Sequence, residues 1–534
     1  MDNPSLAERL EAFAALLDLA GSSYYTTRAY RRAAELIRST PADVAQLVRA
    51  GRARELAGIG PGIEARLREL VETGELVELR ELEAEAMPEL VGIGRLLGLT
   101  PKRMRALGKA LDVRTLAGLR EAVDAGRLLE VPGVGPKTAE TIRTGLAAVA
   151  TARPRHGMLL NRARLLVGEI AAALGGEPAG DPRRGCDLST HFAVVVPDRK
   201  ALDRLERLPQ IVSVLERDST RAVAVSAEGY PIEVTFAPRR SFGAALLRAT
   251  GSAEYVTALE PLPEGATEQE VYAQVGRPFR PPELREADAG DPPPDLLRLE
   301  DVRGDLHVHT TASDGKASVH EMGLAAKERG YEYIAICDHT QAVRVVPGLD
   351  ADDLRRQGEE IAAANELLAP FRILRGSECD ILPDGSLDLP DDVLAELDWV
   401  QISLHAGQRW GREALTERVL EAMRHPAASA LSHPKGRMLN HRPENALDLE
   451  QVFEVALETG VALEINGLPD RLDLSAGHAR DALAAGVPLV CSTDAHSVRG
   501  LGNMELSVVT ARRAGARRGE VLNTRSFRDL GSRS

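Results

Sequence analysis

From Gly304 onward, short apolar runs alternate with helical stretches, and most of the runs are closed by a histidine or a carboxylate. The runs are Tyr333-Ile334-Ala335-Ile336, Arg372-Ile373-Leu374, Trp399-Val400-Gln401-Ile402, Ala428-Ser429-Ala430-Leu431, Val461-Ala462-Leu463 and Pro488-Leu489-Val490. Repeated strand-helix units of this kind predict a parallel barrel, whose strand C-termini converge on one face. His307 and His309 follow the first strand, with Asp314 in the next loop. His339 follows Ile334 to Cys337. Glu378, His405 and His433 follow Ile373, Ile402 and Leu431, and Asp494 and His496 come after Val490. Nine side chains therefore point into one cavity. Nine donors exceed one coordination shell, so two or three divalent ions are expected, and imidazole with carboxylate suits Zn2+, Mn2+ or Fe. His307 and His309 lie two residues apart, on the same side of a strand end, as a chelate requires. A single histidine at a strand end is usually structural. The recurrence carries the inference, because His156, His191, His320, His425, His441 and His478 fit no such pattern.

Paired cations lower the pKa of water and clamp phosphoryl oxygens, so the expected chemistry is phosphate-ester hydrolysis. His307, His309, Glu378 and Asp494 are the expected catalytic group. Lys435, Arg437 and Arg471, near the strand ends, are expected to hold the substrate phosphate. Asn466 is expected to make a hydrogen bond at the rim.

The first 150 residues are different. Amphipathic helices are joined by three related turns: Leu56-Ala57-Gly58-Ile59-Gly60-Pro61-Gly62-Ile63, a weaker Leu97-Gly98-Leu99-Thr100-Pro101-Lys102-Arg103, and Leu129-Glu130-Val131-Pro132-Gly133-Val134-Gly135-Pro136-Lys137-Thr138. This is an internal repeat. Residues 158–240 add a helix and four strand-like runs, a mixed α/β unit, and Pro281 to Pro294 looks like a linker.

At 534 residues the chain has room for about three to five domains. Its net charge of −14 lies mostly in the C-terminal half, while residues 1–150 balance. That excludes a protein that coats DNA everywhere, but leaves room for local backbone contacts from the N-terminal region. Cys186, Cys337, Cys379 and Cys491 show no CxxC spacing, so neither a disulfide framework nor a thiolate zinc site is indicated. There is no signal-peptide pattern and no apolar run of about 18 residues. A cytoplasmic protein without membrane contact is expected.

The barrel motifs Asp-Leu-His307-Val-His309-Thr, Cys-Asp338-His339, Gly376-Ser-Glu378, Ser403-Leu-His405, Ser432-His433-Pro434 and Ser492-Thr-Asp494-Ala-His496 resemble the PHP (polymerase and histidinol phosphatase) domain over residues 303–520. The resemblance implies that His307, His309, Glu378 and Asp494 hold one ion. It implies that Glu378 bridges to a second, held with His405 and His433, and that Asp314, His339 and His496 hold a third. The Gly-Ile-Gly and Gly-Val-Gly turns resemble helix-hairpin-helix motifs. There Gly58, Gly60, Gly133 and Gly135 would let backbone approach a DNA phosphate, and Lys137 would add charge.

The full order resembles the bacterial family X DNA polymerases. The implied fold is a multidomain α/β chain: a helical lyase-like domain (1–85), a fingers-like hairpin domain (86–150), an α/β nucleotidyltransferase-like palm (151–240), a thumb-like segment (241–285), a linker (286–302), a distorted (β/α) PHP barrel (303–520) and a tail (521–534). Two departures stand out. Where the family's palm has a serine and two metal-binding aspartates, this chain has Asp181, His191 and Ala193, with Glu233 at the third carboxylate. Asp187, which could substitute, lies several residues upstream. Arg66 stands at the Schiff-base lysine and cannot form an imine. The expectation is a DNA-binding, metal-dependent phosphodiesterase, a 3′–5′ exonuclease or 3′-end processing enzyme in DNA repair, with synthesis lost. The alternatives are an active polymerase with PHP proofreading, or a phosphatase of a small ester. A monomer is expected.

Overall fold

The computed structural model describes residues 2–40, 42–56, 58–151, 154, 156–286, 292–344 and 346–530. Ala57 of the first turn, residues 287–291 of the expected linker and residues 531–534 of the tail lie outside them. The chain divides into two units: Met1–Arg155 with Ala173–Gly175 and Asp198–Phe236, and His156–Ala172 with Gly176–Pro197 and Ala237–Ser534. The segment read as the palm thus contributes to both. No helix among the described residues is long and apolar enough to cross a membrane.

In the first unit, helices Asn3–Leu19, Tyr24–Ser39, Val44–Arg49, Pro61–Thr73 and Val77–Glu85 bury Leu6, Leu10, Phe13, Ile37, Leu67 and Leu70 in one core. Helices Pro88–Leu96, Pro101–Leu111, Leu116–Asp124 and Pro136–Ala147 build a second core, which takes in Leu215, Val223 and Val225 from the antiparallel strands Ile211–Arg217 and Arg221–Ser226. All three repeat turns share one backbone frame. Gly58, Gly98 and Gly133 take φ of 104°, 74° and 81°, the left-handed region that favours glycine. Two residues on, Gly60, Thr100 and Gly135 are extended N-caps, each followed by a proline at the first helical position. The copies differ in one respect. Thr100 caps its own helix by accepting from the Arg103 amide (3.3 Å), whereas Gly60 and Gly135 leave theirs without a side-chain cap.

The second unit is dominated by seven parallel strands: β1 (Gly304–Val308), β2 (Tyr333–Ile336), β3 (Arg372–Asp380), β4 (Trp399–Ser403), β5 (Ala430–Leu431), β6 (Ala462–Asn466) and β7 (Leu489–Ser492). They pair strictly in sequence order. A bridge from Val308 to Ala495, with the His309 amide donating to the Ala495 carbonyl at 2.9 Å, brings the chain beyond β7 back to β1. The sheet is a nearly closed barrel. Buried apolar residues line its strands, as expected for a parallel sheet covered by helices.

The same unit holds the antiparallel pair Glu177–Gly180 and Phe192–Val196 and the helices Phe242–Thr250 and Glu268–Gln274. Their junction is ionic. Arg183 donates to both Glu268 oxygens (2.7 and 2.8 Å) and to Thr250, and the fully buried Arg285 also donates to Glu268. The Glu268 carboxyl titrates below its usual 4.5: burial works against ionisation, and the hydrogen bonds from Arg183 and Arg285 more than offset it. Because the folded value is depressed, this stabilisation is present above about pH 4.5 and is lost as pH falls through the folded value. We predict that Glu268→Gln, which leaves two arginines without their counter-charge, lowers unfolding stability by about 3–5 kcal/mol, read as a fall in the denaturant midpoint at pH 7. The deficit shrinks toward pH 3.

Candidate metal centre

The barrel's C-terminal face gathers all nine residues expected there. His307 is in β1 and His309 follows it on the same side, and their Nε2 atoms lie 3.1 Å apart. Glu378, in β3, lies between two groups of imidazoles. Its Oε2 is 2.9 Å from His339 Nδ1, 3.4 Å from His307 Nε2 and 3.5 Å from His309 Nε2. Its Oε1 is 2.9 Å from His433 Nε2 and 3.4 Å from His405 Nε2. Asp494 Oδ1 lies 3.1 Å from His309 Nε2, and Asp314 Oδ2 lies 3.2 Å from His496 Nε2. Three donor groups are compact enough to hold a cation, with their atoms within 4.8 Å of one another: His309-Asp314-His339-His496, His307-His309-Glu378 and His339-Glu378-His405. The partition differs from the one implied by family resemblance. His309 also belongs with Asp314, and His339 couples that group to Glu378.

The donor set fits divalent cations on its own chemistry. His309 Nδ1 and His339 Nδ1 are buried without a hydrogen-bond partner among the described residues, yet face carboxylate oxygens at 3.9 and 2.9 Å. Buried polar atoms are normally satisfied. Burial, and then the charges of His496 and His339, push His309 down to about 4, leaving it neutral with a free lone pair. Burial opposes ionisation of Glu378 and Asp494, but the surrounding histidines hold both well below the usual carboxylate range. Burial likewise opposes charge on His307, but Glu464, Asp494 and Glu378 raise it well above its ordinary value. The pocket demands positive charge at that point, as a proton or as a metal ion. The backbone is strained here as well: His433 and Asp494, neither a glycine, take φ of 24° and 52°.

A second tier of buried carboxylates orients the donors. Glu464, in β6, accepts from His307 Nδ1 (2.7 Å), from the His433 amide (2.7 Å) and from the Ser432 and Ser492 hydroxyls. Holding the Nδ1 proton turns the Nε2 lone pair of His307 toward the cluster. Asp380 faces His405 Nδ1 at 3.3 Å in the same way. Neither carboxylate was anticipated from sequence. The available signal was an acid inside an apolar strand run, two residues from another inward position.

The other expected contacts divide. Asn466 is fully buried rather than at the rim, and donates to Asp494 Oδ2 at 2.9 Å. Lys435 and Arg437 prove to be internal braces, contrary to the expected phosphate contact. The Lys435 amine donates to the Leu447 carbonyl (2.9 Å), and Arg437 pairs with Asp187 (2.6 Å) and donates to the Arg471 and Leu472 carbonyls. Their charges sit on loop residues turned inward. Arg471 is half-buried and forms no ion pair among the described residues. In the other unit, added Cβ atoms at Gly58, Gly60, Gly133 and Gly135 would meet nothing within 4 Å, and Lys137 is exposed.

A barrel of this form with this donor set defines a metal-dependent hydrolase, here joined to helix-hairpin-helix modules. Residues 305–467 match the PHP domain, residues 1–76 a helix-hairpin-helix domain and residues 95–148 a SAM-like helix-hairpin-helix tandem. The PHP match stops short of β7, although the loop after β7 supplies Asp494 and His496. The chain is 31% identical to the DNA polymerase/3′-5′ exonuclease PolX of Bacillus subtilis over 99% of each protein. It is also 31% identical to a probable phosphatase of Acetivibrio thermocellus, over 36% of this chain and 78% of that protein, and 30% identical to one of Vibrio parahaemolyticus, over 38% and 80%. The chain belongs to the PolX family.

Glu464→Ala removes the acceptor that fixes His307. The expected outcome is metal affinity reduced about 10- to 100-fold, measured by competition with a chromogenic chelator. Unchanged affinity would show that Glu464 only packs.

Proposed function

We propose that the chain degrades DNA from its 3′ end as a metal-dependent 3′–5′ exonuclease, with the barrel as its working active site and synthesis lost. The observation that carries this reading is Glu378, whose two oxygens address two sets of imidazoles. Two or three divalent ions, Mn2+ or Zn2+, would be held by His307, His309, Asp314, His339, Glu378, His405, His433, Asp494 and His496. When bound, they supply Lewis-acid polarisation of a phosphoryl oxygen and acidify water at neutral pH. Glu464 and Asp380 hold the ligand rings in register, and the buried inner wall formed by His307, His309 and Glu378 excludes bulk solvent. His307, His309, Glu378 and Asp494 form the catalytic group.

The hairpins suit a DNA backbone. Gly60 and Gly135 have φ of −83° and −87°, which any residue adopts, and a side chain there would meet nothing. Neither backbone nor packing therefore asks for glycine, while a closely approaching phosphate does. Gly58, Gly133 and Lys137 complete those contacts. The domain boundaries set out above, including the thumb-like segment and the linker, follow from this reading.

The palm supports loss of synthesis. The Asp181 carboxylate is committed internally, accepting from Arg184 (2.7 Å) and from the Thr190 and His191 amides (2.8 and 2.9 Å). Arg183 is neutralised by Glu268, and Asp187 by Arg437 and Arg513. Ala193 offers no ligand, and two-metal nucleotidyl transfer needs carboxylates. Arg66 is paired with Glu69 and Glu78.

With 3′-labelled DNA and Mn2+, the wild type is expected to release labelled mononucleotide. His309→Ala combined with Asp494→Ala is expected to lose at least about 100-fold, the upper end of what even an outer-shell change costs. Primer extension with dNTPs is expected to give no product. Extension abolished by Glu233→Ala would contradict the palm reading, and hydrolysis of a chromogenic monoester with none of DNA would favour a small-ester phosphatase.

A further inference from the structure

The loop after β4 carries His405 and then turns tightly. Gly407 has φ of 81°, and the Trp410 amide donates to the Gly407 carbonyl at 2.9 Å. The Arg418 guanidinium lies 5.0 Å from the Trp410 ring and donates to the Ala406 carbonyl at 2.7 Å, so the indole rests on a fixed base. Trp410 nevertheless keeps 38% of its surface exposed. His405, on the same loop, is the solvent-facing end of its donor group, 19% exposed against 1% for Glu378.

Three arginines share this face. Arg409 is in the same turn, Arg442 is on the loop after β5 and Arg471 on the loop after β6. None forms an ion pair among the described residues. Burial, then the charge of Arg471 and more weakly that of Arg409, holds the Arg442 guanidinium below its usual value, while Asp473 works the other way. The Asp473 carboxylate is itself occupied by the Lys435 and Arg437 amides, at 3.2 and 3.3 Å. A cationic group offset only by the buried Asp473 thus sits on the acidic half of an acidic chain, on the barrel face that carries the metal-ligand donors and an exposed indole. Like charges brought together in this way repel unless an anion spans them.

We propose that Arg409, Trp410, Arg442 and Arg471 form a subsite for an unpaired nucleic-acid strand leading into the metal centre. The guanidinium groups take successive phosphates and the indole stacks on one base. This rests on the exonuclease reading above and gives it a substrate form, the single-stranded 3′ end. Planar guanidinium matches phosphate oxygens in pairs. Stacking on an indole tolerates every base but requires one that is not paired in a duplex. Trp410 lies five positions after His405, at most about 18 Å of extended chain, so the stacked base lies within a few nucleotides of the metal ligands.

The chain has two tryptophans, and the other, Trp399, is buried with its Nε1 donating to Gln401 at 3.0 Å. Intrinsic fluorescence therefore reports on the subsite. We expect hexathymidylate, added to the full chain in EDTA, to quench the wild type and Trp399→Phe but not Trp410→Phe. Trp410→Leu should weaken binding of a 5′-labelled strand roughly five-fold or more by anisotropy. Arg442→Gln with Arg471→Gln should weaken it further and flatten the salt dependence by about one phosphate contact per arginine. No quenching in a preparation that degrades 3′-labelled single strands with Mn2+ would overturn the subsite and leave the exonuclease reading standing. Neither binding nor degradation would overturn that reading and the subsite with it. Equal quenching by polyglutamate of the same charge would show charge attraction without stacking, and would also overturn the proposal.

Discussion

The barrel's C-terminal face is organised around one buried carboxylate. Glu378 is met by imidazole nitrogens of His307, His309, His339, His405 and His433, brought by β1, β2, β4 and β5 or the residues just after them. Burying ions costs several kcal/mol each even after relaxation, and lone pairs aimed at carboxylates do not hold one another. Cations between them resolve both problems. The rest of the face serves this arrangement: Glu464 fixes the His307 ring, Asp380 fixes His405, and the backbone accepts positive φ at His433 and Asp494. Strain of that kind persists where the surroundings over-determine the geometry, as at a functional site.

Much of this was legible in the sequence because the signal is periodic. All the donors but Asp314, which lies in the loop after the first strand, close apolar runs, so the parallel topology and the convergence of the donors both follow from one pattern. The hairpin repeat was legible for a similar reason, since Gly58, Gly98 and Gly133 mark positions where the backbone needs a left-handed residue. What sequence cannot show is the direction of a long side chain. Lys435 and Arg437 carry charge near the strand ends, as a phosphate contact would, but they turn inward and brace carbonyls. Trp410 and Arg442 give no sequence signal at all, because their grouping with Arg471 exists only once three separate loops meet on one face. Glu464 was hidden differently. As a lone acid in a strand it looks like any half-exposed residue until the sheet closes over it.

The segment expected to form a palm shows how one buried carboxylate engages its neighbours. Asp181 satisfies Arg184 and two backbone amides, and Arg183 and Arg285 close on Glu268. Both arginines are thereby part of an internal ionic lock. Such a lock rigidifies the segment while removing its free positive charge.

The most direct test of the account is a count of metal ions. Wild-type chain stripped by chelation, reloaded with Mn2+ or Zn2+ and freed of excess should carry two or three ions per chain by plasma mass spectrometry. His405→Ala with His433→Ala should lose at least one while keeping another. A wild-type chain that retains no more than one ion would contradict the claim that Glu378 organises a multinuclear centre.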